Sequence, residues 1–157
     1  MGSFRGRLLS ASALASVLAL ATMGAQASGL PHGGHFIAGH GTLNKANQSL
    51  TVKQSSTTGI IDWNRFSVGA KNGVTFDNGS GATLNRVIGG NLSRIAGSLH
   101  ATGSLYLMNT SGVIVSGTGR IVTGGSFAVS TGNISGTAFG KRFAKAINRG
   151  SITAGGS

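Results

Sequence analysis

Apolar and polar residues alternate along many short segments of the chain, and Gly, Asn, Ser and Thr separate one segment from the next. In the pair Leu50 and Val52, as in Val113 and Val115, this alternation places two side chains on one face of an extended strand. The spacing of an amphipathic helix is almost absent. The pattern predicts short β-strands at His35–Ala38, Ser49–Val52, Gly59–Asp62, Val74–Phe76, Ala82–Val87, Gly103–Met108, Val113–Val115, Arg120–Val122 and Phe127–Val129.

One such strand cannot be stable alone, because it buries too few side chains to offset the entropy lost on ordering. Each buried Leu, Val or Phe contributes roughly 1.5–3 kcal/mol. Many short strands at close spacing predict an all-β sandwich, barrel or solenoid. Their near-uniform size and proline-poor turns favour a β-solenoid of stacked coils. Residues that tolerate a left-handed backbone stand beside the strands at expected corners: Asn72, Asn78, Asn91, Asn109 and Asn133.

The first residues have the three regions of a secretory signal peptide. Arg5 and Arg7 are basic, Leu8–Ala21 is largely apolar, and Ala25-Gln26-Ala27 is a small-residue cleavage signal. A membrane anchor or a buried helix is the alternative, but a spanning helix needs roughly 20 apolar residues. We therefore expect residues 1–27 to be a signal peptide that is removed after Ala27, with Ala25 and Ala27 defining the cleavage site.

The segment Phe139–Gly150 departs from the strand pattern. Phe139, Phe143 and Ile147 recur every four residues, and the remaining positions include several cations. This spacing predicts a short basic amphipathic helix or a decorated loop, which would contact a membrane or lipopolysaccharide or present a solvated face above a hydrophobic patch. Arg149–Ser157 then begins another strand and turn, so residues 136–157 are expected to start a further part of a solenoid that is truncated here.

The composition fits an exported, folded chain. It contains 28 glycines, one proline, no cysteine and 10% charged residues, and the glycines punctuate strands instead of forming runs. A formal net charge of +11 favours anionic partners such as lipopolysaccharide or acidic glycans. No motif that reads nucleic acid is present, so nucleic acid is not an expected partner. No stable membrane span is expected once the signal peptide is removed.

The chain offers little for catalysis or for a metal. Asp62 and Asp77 are its only acidic residues, whereas glycoside hydrolysis needs paired carboxylates and calcium-assisted lyases need acidic clusters. His32, His35 and His40 form a loose cluster without an orienting carboxylate, and His100 stands alone. We expect no enzyme activity, cofactor or metal. A cryptic β-helix lyase would have to act despite the missing acids.

Several motifs in order resemble the haemagglutination-activity domain at the N-terminus of two-partner-secretion exoproteins of the filamentous-haemagglutinin type. They begin with LPHGGHFIAGHGTL from Leu30 and continue with IIDWNRFSVG from Ile60, which follows the family pattern I-x-W-x-x-F-x-(I/V)-G. NRVIGGNLSRIAGSLHATGSLYLMNTSGVIV from Asn85 and GGSFAVSTGNI from Gly124 complete the similarity. The resemblance assigns residues 28–135 to this domain.

This resemblance implies a right-handed parallel β-helix with a small N-terminal cap. It also implies recognition in the periplasm by the POTRA repeats of a partner outer-membrane β-barrel, which exports the chain unfolded. The full-length relatives are adhesins, haemagglutinins, cytolysins or contact-dependent toxins. The expected location is therefore secreted or on the cell surface of a Gram-negative bacterium, reached through Sec export and the periplasm.

The same resemblance points to particular residues. The family's NPNG(I/V) motif aligns with Asn109, Thr110, Ser111, Gly112 and Val113, so its proline and second asparagine are replaced, and its NPNL motif has no clear counterpart. We expect Asn109 and Gly112 to close a turn before the next strand. The signature block of the family corresponds to Ser49–Asn78, and its core consists of Ile61, Trp63, Phe66, Val74 and Phe76. Trp63 and Phe66 are expected to pack in the core or cap.

Gly33, Gly34, Gly89 and Gly90 are expected to give the backbone freedom at corners. Two functions follow from the sequence. The first is a secretion and targeting domain that seeds the folding of a surface adhesin. The alternative is a stand-alone basic β-solenoid that binds anionic glycans or lipopolysaccharide, including those of a host cell surface.

Overall fold

The computed structural model describes residues 29–132, and this part of the chain forms twelve β-strands without a helix. The predicted signal peptide, the segment Phe139–Gly150 and Asn133 lie outside the described residues. The strands are β1 His35–Ala38, β2 Gly41–Ala46, β3 Ser49–Gln54, β4 Thr58–Trp63, β5 Gly73–Asp77, β6 Ala82–Val87, β7 Ser93–Ile95, β8 Ser98–Ala101, β9 Ser104–Met108, β10 Val113–Val115, β11 Arg120–Thr123 and β12 Phe127–Ser130.

The strands stack as successive coils of a β-solenoid. Sheet 1 has the order β1-β4-β6-β9-β12, sheet 2 the order β2-β3-β5-β8-β11, and sheet 3 consists of β7 and β10. From β3 onward, every pairing between neighbouring coils is parallel. Each coil thus contributes one strand to sheet 2 and one to sheet 1. The solenoid expected from the sequence is confirmed, and the sandwich and barrel alternatives are excluded.

The core lies inside the coils and is built from side chains in register. Leu50 on β3 pairs with Val74 on β5, which pairs with Leu99 on β8, and Leu99 with Ile121 on β11. The first three of these side chains are at most 4% exposed. Because equivalent positions are apolar in successive coils, each coil buries the inward face of the one before it.

Two antiparallel strands close the N-terminal end of the stack. β1 pairs with β4, and β2 forms a hairpin with β3. The hairpin turns at Asn47, whose φ of 52° is a left-handed conformation that Asn tolerates better than most residues. This arrangement covers the sheet edges of the first coil and forms a small N-terminal cap.

The glycines expected at corners have different roles. Gly33 has a positive φ of 72°, whereas Gly34, Gly89 and Gly90 do not adopt this conformation. Gly89 is required for another reason, because a Cβ there would lie 2.0 Å from the carbonyl oxygen of Asn64 in the coil below. Close approach of stacked backbones, not unusual torsion angles, explains this glycine.

The three central strands of sheet 1, β4, β6 and β9, are largely buried on both faces, which the sequence analysis did not anticipate. Apolar inward residues of these strands belong to the main core, and apolar outward residues form a second hydrophobic cluster. We call this the outer cluster; it consists of Ile60, Leu84, Tyr106 and Met108. Sheet 2 is different, since on β3 buried and exposed residues alternate strictly.

Replacing an inward residue should cost far more stability than replacing an exposed one of the same type. Leu99→Ala removes a side chain that is 1% exposed, so we expect the free energy of unfolding to fall by about 2–5 kcal/mol. Leu92→Ala, at a side chain 38% exposed, should lower it by less than about 1 kcal/mol. Urea denaturation of the two variants measures the difference, and equal losses would contradict the coil packing described above.

Candidate functional site

The signature block lies at the capped end of the solenoid. Ile61 and Trp63 are on β4, Phe66 follows that strand, and Val74 and Phe76 are on β5; all five are at most 1% exposed. The ring of Phe66 contacts Trp63 edge-on, with centroids 5.3 Å apart, and stacks on Phe76 at 6.4 Å. This aromatic group fills the interior below the cap, so its side chains are not available to a partner.

The N-terminal segment is fastened against this aromatic group. Leu30 is buried in the same core, and the backbone N–H of His32 donates to the carbonyl oxygen of Arg65 at 2.9 Å. A Cβ on Gly34 would lie 2.3 Å from the Trp63 ring, so only glycine allows the chain to pass there without a shift. The cap and the signature block are therefore one packed unit.

The buried side-chain amide of Asn85 accepts a hydrogen bond from the indole N–H of Trp63. Trp63 Nε1 donates to Asn85 Oδ1 at 2.9 Å, and Asn85 Nδ2 donates to the carbonyl oxygen of Tyr106 at 3.3 Å. Asn85 is fully buried on β6. Since an unpaired buried N–H is costly, this pair ties the first coil to the next two. The sequence analysis missed Asn85, which carries no local sequence signal for this role.

The Asn109–Val113 segment forms the corner between β9 and β10. The N–H of Gly112 donates to the carbonyl oxygen of Asn109 at 3.0 Å, and the N–H of Ser111 donates to Asn109 Oδ1 at 2.9 Å. Gly112 has a φ of 109°, which an L side chain rarely adopts. Asn109 and Gly112 thus close the turn, while Thr110 and Ser111 are exposed at its tip.

The Asn109 side chain makes its hydrogen bonds within the fold. It is fully buried, and its Nδ2 donates to the carbonyl oxygen of Asn91 at 2.9 Å and to Ser93 Oγ at 2.8 Å. These bonds attach the corner of one coil to the preceding coil. A partner could contact the exposed tip or the backbone of this segment, but not the amide of Asn109.

A second polar stack runs through the corner between sheets 2 and 1. Thr83 Oγ1 donates to Gln54 Oε1 at 2.7 Å and accepts from Asn78 Nδ2 at 2.9 Å. In the next coil, the N–H of Gly103 donates to Asn78 Oδ1 at 2.7 Å. Buried polar groups are thus paired from coil to coil. Asn78 was expected at a corner, whereas Gln54 and Thr83 carried no signal.

The two acidic residues do not form a catalytic pair. Asp62 lies on the outward face of β4 and accepts two hydrogen bonds from Arg86, at 2.7 and 2.8 Å. The hydrogen bond to Asp62 raises the pKa of the Arg86 guanidinium. Asp77 is exposed at the end of β5. The Asp62 carboxylate is therefore already paired with the Arg86 guanidinium, and Asp77 is not part of this ion pair.

His32 and His40, in the N-terminal segment, donate hydrogen bonds through their backbone N–H groups. His32 bonds to Arg65 as described above, and the N–H of His40 donates to Ser56 Oγ at 3.0 Å. His35 lies on β1, and His100 is exposed on β8. Within residues 29–132, no group of three or more His, Cys, Asp or Glu residues is placed to hold a metal ion.

An open polar groove of about 450 Å³ lies where the coils enter sheet 2. Its cations are Lys71 and Arg120, both exposed, and its remaining lining includes Asn72, Ser98 and Thr118. The lining of the groove contains two cations and no acidic residue. Sequence reasoning anticipated the charge but not the groove, because its residues come from different coils.

Both ends of the described solenoid have strands with an unpaired backbone edge. At the capped end, β1 and β2 each have one hydrogen-bonded neighbour within the described residues, and the same holds for β10, β11 and β12 at the other end. Most residues of β2 are exposed. The predicted cleavage residues Ala25 and Ala27 lie outside the described range, and no helix within residues 29–132 is long and apolar enough to cross a membrane.

Comparison with known proteins places this architecture. No curated protein sequence matches the chain significantly. Among solved structures, it is similar to the crystal structure of the HMW1 secretion domain from Haemophilus influenzae, with a TM-score of 0.64 and 24% identity over 71% of this chain. The chain spans about 30% of the length of that structure, and the likeness supports the fold alone.

The family comparison covers more of the chain. The profile of the TPS secretion domain, in which TPS stands for two-partner secretion, matches residues 27–157. Such domains are non-catalytic targeting domains of secreted Gram-negative exoproteins, and each implies a partner outer-membrane transporter. The resemblance carried by the signature block is confirmed. The stacked coils and the matched residues together show that this chain belongs to the TPS secretion domain family.

Proposed function

We propose that this domain targets its chain to a partner outer-membrane β-barrel by docking on the barrel's POTRA repeats. The observation that carries the proposal is family membership combined with a capped end whose outer strand is exposed. The chain would reach the partner through Sec export, after removal of residues 1–27. Because the anchoring side chains of the signature block are buried, recognition must use backbone edges and exposed side chains.

β2 is the edge best suited to this docking. The edges of β10, β11 and β12 face the direction in which further coils add, so a growing solenoid would cover them. β2 lies at the opposite end, six residues long and mostly exposed. An extended strand of a POTRA repeat would pair with it by β-augmentation, in which main-chain hydrogen bonds supply the affinity.

We further propose that the domain seeds the folding of an adhesin as it emerges from the cell. The cap fixes the first coil, and each later coil needs only the one before it, so folding would proceed from the N-terminus without an energy source. Folding on the outside would also oppose backward movement of the chain. Residues 28–135 would contain the coils that act as this seed.

An alternative function is binding to anionic glycans or lipopolysaccharide, on host or bacterial surfaces. The groove with Lys71 and Arg120 favours this alternative, together with the net charge of +11. Since exposed cations attract polyanions through screened electrostatics, such binding would weaken steeply as salt is added. It does not require a transporter.

The docking edge can be located by hydrogen–deuterium exchange. Adding a POTRA fragment of the partner barrel should slow amide exchange within Gly41–Ala46, because those amides gain hydrogen bonds. Exchange within the internal strands β5 and β8 should stay unchanged, which provides the control. Slowing confined to Val113–Thr123, or absent altogether, would contradict docking on β2.

The seeding role can be tested at the Asn109–Val113 corner. Val113→Pro removes a backbone N–H from β10 and should lower secretion by at least about tenfold, with signal cleavage and periplasmic level intact. Thr110→Pro is the matched control, because proline suits the second position of this turn and the family motif has proline there. Immunoblots of medium and periplasm measure both variants. Normal secretion of Val113→Pro would refute the seeding role.

Charge reversal in the groove tests the alternative function. The double variant Lys71→Glu with Arg120→Glu should weaken binding to immobilised heparin by at least about tenfold at low salt. The variant Lys53→Glu with Arg94→Glu changes the net charge equally on exposed positions outside the groove lining and should bind nearly as well as the parent. Equal losses would assign the binding to overall charge instead of the groove.

A further inference from the structure

The outer cluster lies on the side of sheet 1 that points away from the solenoid core. Ile60 on β4 pairs in register with Leu84 on β6, and Leu84 pairs with Tyr106 on β9. Their inward neighbours Ile61 and Leu107 belong to the main core instead. The outer cluster is thus a continuous apolar stripe across three coils.

These outward side chains are as buried as the core. Ile60 is 6% exposed, Leu84 0%, Tyr106 3% and Met108 5%. Among residues 29–132, the hydrophobic residues that pack against them are Ala82 and Ala128, which lie on the same sheet. A bare outer face would leave such side chains accessible, as it does on sheet 2, where Thr51 and Lys53 are exposed. Burial this deep on an outward face is what a second layer over the stripe would produce.

The chain beyond β12 is positioned to supply that layer. Within the described residues, β12 is one of the two edge strands of sheet 1. Its Ala128 packs against the outer cluster, and the strand ends at Ser130. The residues between Gly132 and Phe139 can span roughly 20 Å when extended, which is enough to turn back over the sheet. The family profile also continues to residue 157.

The segment Phe139–Gly150 has apolar residues at a spacing suited to contact with the apolar stripe. In Phe139–Gly150, Phe139, Phe143 and Ile147 share one side of a helical period, and the other positions carry Lys141, Arg142, Lys145 and Arg149. We propose that this segment packs across the outer cluster through its three apolar residues and keeps its cations in solvent. The secretion domain is then a two-layer unit that includes Phe139–Gly150, and it does not end at residue 135.

Met108 provides a probe of this contact in the full chain. The chain has three methionines; the other two are Met1 and Met23, so the peptide containing Met108 is distinct in mass spectrometry. Oxidation by hydrogen peroxide follows the exposure of the sulfur. The variant Phe139→Asp with Phe143→Asp should oxidise at Met108 at least about fivefold faster than the parent. Lys141→Asp with Arg142→Asp should leave the rate unchanged.

Other occupants of the stripe give different results, and each would overturn the proposal. One such result is faster oxidation of Met108 in the double variant Leu14→Asp with Leu18→Asp but not in the Phe139 and Phe143 variant. That result would assign the contact with the outer cluster to residues 1–27, the predicted signal peptide. A rate that falls with rising protein concentration would assign it to a second copy. Trp63 fluorescence and circular dichroism verify that each variant retains the solenoid.

Cysteine pairing gives an independent measurement, because the chain has no cysteine of its own. Ala128→Cys with Phe143→Cys should form an intramolecular disulfide under mild oxidation. Thr51→Cys with Phe143→Cys, which places the first thiol on the outward face of sheet 2, should not. Absence of the first disulfide, or equal formation of both, would refute the contact.

Discussion

The in-register stacking of parallel coils is the constraint on which the rest of this structure depends. Leu50, Val74 and Leu99 occupy equivalent positions, and each covers the inward face of the coil before it. No strand here is long enough to be stable by itself, so burial is gained only as coils accumulate. Two consequences follow: the first coil needs a cap, and the last coil offers an edge on which more chain can fold.

Polar residues serve the same stacking at the corners and inside the coils. The side-chain amide of Asn109 donates a hydrogen bond to the preceding coil, and the side-chain oxygen of Asn85 accepts one from the indole N–H of Trp63. These groups cost free energy if left unpaired, so they favour one register over slipped alternatives. Because the signature side chains are also internal, the surface open to recognition consists of backbone edges, exposed turns such as Thr110 and Ser111, and exposed side chains that include the cations.

The architecture suits a targeting domain better than a catalytic one. Asp62 is bound to Arg86, and the described residues bring no second carboxylate beside it. A capped end and an end with open strand edges give the described part of the molecule a direction. On sheet 1, the outward side chains of the outer cluster are as buried as the core, which distinguishes this sheet from sheet 2 and motivates the proposed second layer.

The sequence alone determined the β-solenoid, most strands, and the turn closed by Asn109 and Gly112, because alternation and turn residues act locally. It did not predict β2, β7 or β8. β2 is mostly exposed and is held by pairing with β3, while β7 and β8 each contain only one large apolar residue, Ile95 and Leu99, and so show no alternation. Only the tertiary structure decided the Asn85 contact, the basic groove and the burial of the outer cluster. Each of these joins residues from different coils, and their proximity depends on how the coils stack.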